Sequence, residues 1–275
     1  MGRLILCEVS RRLPIAFTRN GSVNKRLCIE RALAIRPEVQ LSKIFKYFRL
    51  QMDTHRHLDD ELSSLRDRVL LLGGEVEQAL ERAMYALSER DSEVAREVLA
   101  HDDLVDHLEV EIDRQCIDII ALRQPAARDL RFVISVAKMA PVLERIADHA
   151  CNIARTAIDL NNEPELKSVL DLSLMAEHAL RMLRAALDSF TSSDALAARE
   201  IIKSDTEIND LYNHIFHRLI EMMVTEPATA TRDARLLFVA KHLERIGDYV
   251  TDICELTVYM AEAAFIKHSI VKHSS

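Results

Sequence analysis

Six residues repeat one chemical pattern: Glu144, Asp148 and Asn152 stand four apart, and so do Glu244, Asp248 and Asp252. On an α-helix a step of four turns only about 40°, so each trio stacks along one face. Like charges at this spacing cost an isolated helix about 0.2–0.5 kcal/mol per pair, and a plain solvated face usually alternates its signs. Two such stripes in the same register therefore read as more than solvated surface. Carboxylates with a carboxamide offer oxygen donors only, a set suited to hard cations such as magnesium, manganese or iron and not to a closed Cys/His zinc site. No Glu-x-x-His pair occurs, which argues against a ferritin-like di-iron core. Five glycines leave no P-loop, nucleophile elbow or dinucleotide-binding pattern.

The helices that carry these stripes need an apolar face. Leu143, Ile146, Ala150, Ile153 and Ala157 form one roughly 160° from the first acidic stripe, and Leu243, Ile246, Val250, Ile253 and Thr257 repeat it. The acidic stripes are thus expected to point away from the core. Glu77, Glu177, Asp102 and Asp205 fall at the edges of their own apolar stripes, where they could complete a site from neighbouring helices. His149, beside Asp148, reads as an ordinary surface histidine.

Steady helical periodicity predicts helices near 58–90, 93–123, 127–161, 166–190, 194–224 and 231–266, with a bend expected at Pro141. Shifted by 100 residues, Val69, Leu70, Leu72, Glu77, Ala79, Leu80 and Leu87 fall on Val169, Leu170, Leu172, Glu177, Ala179, Leu180 and Leu187. The same shift lays LERIADHACNI onto LERIGDYVTDI. Between these segments the offset drifts to 103, so that Asp102, Val105, Leu108 and Ile112 meet Asp205, Ile208, Leu211 and Ile215. The expected fold is all-α: two tandem, pseudo-symmetric three-helix bundles at 52–163 and 164–275.

Composition agrees. Gly and Pro are scarce (5 and 6), Trp is absent, and 49% of residues are hydrophobic, which favours helices with a real core. Residues 1–51 stand apart, with 11 Lys/Arg against 3 Asp/Glu. They read as a basic, poorly ordered extension, either a targeting segment or sequence upstream of a start at Met52. The rest holds 25 basic and 41 acidic residues, a balance that repels phosphate backbones and argues against nucleic acid as a partner. No apolar run is long enough to span a bilayer. Five scattered cysteines without a CxxC pair read as reduced thiols of a cytoplasmic protein.

LERIADHACNIA and LERIGDYVTDICE resemble the paired ERIGD-type signatures of the PhoU family of phosphate-transport regulators. GGEVEQAL at 73–80 and LRQPAARDLRFVISVAKMAPVLERIAD at 122–148 are similar to that family's first repeat, and the resemblance covers roughly residues 55–265. It implies metal clusters on the outer surface, with Glu144, Asp148, Asn152, Glu244, Asp248 and Asp252 as ligands and Glu77, Asp102, Glu177 and Asp205 as further ones. It also implies a non-enzymatic, cytoplasmic, homodimeric adaptor that restrains phosphate uptake and starvation signalling. Its implied partners are the ATPase of a phosphate ABC transporter and a phosphate-sensing histidine kinase, through which it would sit peripheral to the membrane. Ala147 stands where the signature usually has glycine, and neutral Asn152 implies a weaker first site than Asp252 does for the second. The alternative is a metal-dependent hydrolase that uses the clustered carboxylates to activate water.

Overall fold

The computed structural model describes the backbone over residues 41–163 and 170–266, and side chains over 57–163 and 171–266. The described residues form six α-helices: α1 (Leu41–Ser88), α2 (Ser92–Arg123), α3 (Ala127–Asn161), α4 (Leu170–Ser192), α5 (Ala195–Thr225) and α6 (Ala230–Glu262), with a 3₁₀ turn at Pro227–Thr229. No strand occurs among them. Helix α1 is already formed at Leu41, the first described residue, well ahead of the start expected near residue 58. Beyond Pro37 the sequence holds no Gly or Pro until Gly73, so nothing interrupts a helix propagating back from the periodic segment. Of the extension expected to be poorly ordered, residues 1–51, the stretch 1–40 lies outside the described residues and 41–51 belong to α1. At the other end, α6 stops at Glu262 rather than near 266, closed by Ala263 in the left-handed region, whose amide donates to Tyr259 O.

Helices α1–α3 and α4–α6 repeat one bundle. The same turn opens the second helix of each. Arg90 (φ 58°) and Ser193 (φ 56°) take the left-handed region. The next residue, Asp91 or Asp194, then caps the helix by accepting from two first-turn amides, those of Glu93 and Val94 or of Leu196 and Ala197. Both expected core stripes are fully buried, from Leu143 to Ala157 and from Leu243 to Thr257. Thr257 satisfies its hydroxyl by donating to Ile253 O at 3.1 Å. α3 continues through Pro141 as one helix.

Residues 60–275 cluster as one compact unit and residues 1–59 as another. Within the larger unit the two bundles pack side by side. α3 lies on α6, joined by Ser135 Oγ to Leu256 O (3.5 Å). α1 meets α4 so closely at Gly73 that a Cβ there would stand 2.7 Å from Leu187 Cδ1. Arg184 of α4 bridges Glu77 and Glu81 of α1.

Candidate functional site

The acidic stripes sit on α3 and α6, and each lies against the second helix of its own bundle rather than facing open solvent. Glu244 retains only 15% side-chain exposure and Asp248 42%. The cause is tertiary. The core stripe is narrow, so α2 and α5 pack over the flank of α3 and α6 that carries the acids.

In the first bundle, α2 presents Asp102, Asp106 and Glu109 to Glu144 and Asp148 of α3. Burial, then the charges of Asp148, Asp106 and Glu109, raise the pKa of Glu144 above the usual carboxylate value. Burial, then Asp102 and Asp106, raise that of Asp148, with Arg155 opposing. Asp102 Oδ1 accepts a hydrogen bond from Cys151 Sγ at 3.3 Å. The buried Cys151 thiol is held up to about 12 by burial and Asp102, so it is an inert packing thiol. Cys116 and Cys254 are likewise buried and pushed up to about 12, chiefly by burial.

In the second bundle, α5 presents Asp205 to Glu244 and Asp248, with Asn209 beside it on the same helix. Burial and then Asp248 raise the pKa of Asp205, while the 2.8 Å hydrogen bond that Asn209 donates to Oδ2 opposes them. Asp205 Oδ1 is buried with no hydrogen-bond partner, an uncompensated acceptor that a cation or a water would satisfy. Burial and Glu244 raise Asp248; Arg245, at 3.0 Å from Oδ2, and Lys241 oppose.

The candidate residues thus divide. Glu144, Asp148 and Asp102 come together, as do Glu244, Asp248 and Asp205. Glu77 is committed to Arg184, Glu177 is exposed, and Asn152 Oδ1 accepts from Arg155 at 2.8 Å. Asp106, Glu109 and Asn209 join the seams without having been singled out. Their spacing from Asp102 and Asp205, four or seven residues, was the available signal. His178 was also missed: its Nε2 donates to Ser204 O at 3.3 Å, next to Asp205. Among the described residues no three His, Cys, Asp or Glu side chains converge on one ion position. The donors are nonetheless oxygen-rich, mutually repelling and, at Asp205, uncompensated, which fits a hard cation in chemistry.

His149 is not a surface histidine. It lies between α3 and α6, with Nδ1 at 2.9 Å from His242 Nδ1 and its ring stacked 5.6 Å from Tyr249. Burial, His242 and Arg245 lower its pKa to about 4, so the pair is neutral at pH 7.

Both bundles match a known domain over their cores: the PhoU domain fits residues 69–157 and again residues 172–257. The chain belongs to the PhoU family. It is 36% identical over 212 residues to the phosphate-specific transport system accessory protein PhoU homolog of Aquifex aeolicus, covering 77% of this chain and 96% of that protein. It is 36% identical over 208 residues to the accessory protein PhoU of Escherichia coli, covering 76% and 86%. The crystal structure of PhoU from Pseudomonas aeruginosa superposes with a TM-score of 0.73 at 34% identity, over 75% of this chain and 99% of that one. The doubled PhoU domain corresponds to the two helical bundles. No helix among the described residues is long and apolar enough to cross a membrane.

Proposed function

We propose that this PhoU-family protein is a cytoplasmic adaptor that restrains phosphate uptake and starvation signalling while holding metal ions along its two carboxylate seams. The observation that carries this reading is family membership across both repeats, since the relatives are named accessory proteins of a phosphate-specific transport system. The seams support its metal-binding part. Asp102, Asp106, Glu109, Glu144 and Asp148 would hold ions in the first bundle, and Asp205, Asn209, Glu244 and Asp248 in the second. Bound cations would neutralise charges that otherwise repel across each helix pair. Asn152, Asp252, Glu77 and Glu177 are left outside this core set. The transporter ATPase, the sensor kinase and a second copy of the chain are the proposed partners.

The test pairs two variants. Asp248→Ala removes a seam carboxylate and no core contact, so the protein should keep normal abundance, lose bound metal and fail to repress a starvation reporter at high phosphate. Ile246→Ala, fully buried, should fail through loss of protein instead. Full repression and unchanged metal content in well-folded Asp248→Ala would reject the metal-holding reading.

A further inference from the structure

The two bundles build the same turn between their first and second helices, but they fill the space behind it differently. In the first bundle Arg90 reaches across that space. Its Nη2 donates to Leu160 O and Asn161 O, both at 3.0 Å, and to Glu163 O, closing the C-terminal end of α3. In the second bundle Ser193 stands in Arg90's place, and Met260 and Ala261 replace Leu160 and Asn161. Serine is too short to reach them. The space left is a cavity of about 270 Å³, lined by Ser193, Met260 and Ala261 and, from the first bundle, by Arg66, Arg128, Asp129 and Phe132.

We propose that this cavity binds a small phosphate-bearing anion, either orthophosphate or a compact phosphomonoester. Arg66 lies over the Phe132 ring, its guanidinium carbon 5.2 Å from the centroid. Its Nε is buried with no hydrogen-bond partner. Neither Arg66 nor Arg128 makes an ion pair with a described residue. Two guanidinium groups in one cavity repel, and an unmet buried donor is costly. An anion placed between them relieves both penalties, and planar guanidinium forks match phosphate oxygens. Arg128 and Asp129 lie in the first turn of the 35-residue α3, whose N-cap, Ala126, provides no side-chain cap, so this end of the helix also favours negative charge. The opposing helix end at Met260 is screened, because Met260 O accepts from Arg131 Nε at 3.4 Å.

Asp129 sets the selectivity. A carboxylate in an anion site accepts from a ligand that carries a proton. At neutral pH orthophosphate keeps a P–OH donor, a phosphomonoester keeps one only in its minor monoanionic fraction, and sulfate has none. Because the walls come from both bundles, an occupied cavity ties α1 and α3 to the α4–α5 turn and α6. This inference goes beyond the adaptor reading and does not rest on metal at the seams.

Titration calorimetry of the full chain in chelator-treated buffer tests it, with orthophosphate, glycerol 3-phosphate and sulfate as separate ligands. Orthophosphate or the ester should bind saturably at one site, with the tighter of the two naming the source, and sulfate should bind weakly. Arg128→Gln, at the exposed rim, should weaken binding about tenfold or more, the loss of one charge-assisted contact. Asp129→Asn should narrow the phosphate-to-sulfate ratio. Ser193→Arg, which fills the space as Arg90 does in the first bundle, should abolish binding while the protein melts as before. No saturable phosphate binding, equal binding of sulfate, or undiminished binding in folded Ser193→Arg would overturn the proposal.

Discussion

The two carboxylate seams are built on the same helix pair, yet one closes over alanine and the other over glycine. At Gly247 a Cβ would stand 2.8 Å from Asp205 Oδ1 and 3.0 Å from Ile208 Cδ1. The bare backbone lets Asp205 pack down against α6, where its Oδ1 loses water. In the first bundle Ala147 occupies the corresponding place, and Asp102 turns instead to Cys151. Charge is distributed differently too. Asp106 and Glu109 of the first seam correspond to Asn209 and Tyr212 in the second. The first seam is therefore the more highly charged, and the second the more tightly packed around one carboxylate.

The largest effects should be the ones the bundles share. Ile146 and Ile246 are both fully buried on equivalent stripes, so replacing either with Ala should destabilise by about 2–5 kcal/mol through transfer and cavity terms. Chemical denaturation of the two variants checks this. A loss confined to one of them would break the pseudo-symmetry of the cores.

The glycine exchange comes next. Gly247→Ala should cost about 1–3 kcal/mol from overpacking against Asp205 and Ile208, offset in part by the helix propensity of alanine. Ala147→Gly should cost only about 1 kcal/mol, the propensity difference. Equal costs in thermal melts would mean that the close approach at Gly247 does not matter.

Metal loading sharpens the charge comparison. The neutral Asn152 against Asp252 favours a tighter second site, but the structure adds Asp106 and Glu109 to the first seam. Affinity for hard cations rises with ligand charge. Titration with manganese, read on Asp148→Ala and Asp248→Ala variants, should therefore show the first seam loading first. Earlier loading of the second would mean that Asp252 outweighs Asp106 and Glu109.

The smallest effect is electrostatic. The pKa values of Asp148 and Asp248 are raised above the ordinary 3.8, so the ionised forms destabilise the metal-free fold. That fold is relatively more stable when they are protonated and loses this advantage as pH rises through their native values. Asp148→Asn and Asp248→Asn should each melt slightly higher than the parent at pH 7 in the presence of chelator. The gain should vanish on acidification toward pH 3.8. A constant difference across that range would assign it to packing rather than charge.

The sequence by itself determined the helices, their doubling and the core. Apolar spacing of three and four places Leu143 through Ala157 and Leu243 through Thr257 on one side of each helix, and both stripes are buried throughout. Such spacing is a local property of one helix, so it can be read without knowing the neighbours. It also gathered Glu144 with Asp148 and Glu244 with Asp248. What it left open was which helix would face them. Asp106, Glu109 and Asn209 enter the seams, and Glu77 leaves them for Arg184, because α2 and α5 settle on one flank of α3 and α6 and α4 settles on α1. His149 meets His242, and Ser193 leaves a cavity that Arg90 fills in the other bundle, for the same reason. Each depends on residues of different helices, about 40 to 130 positions apart in the chain, that only tertiary packing brings into reach.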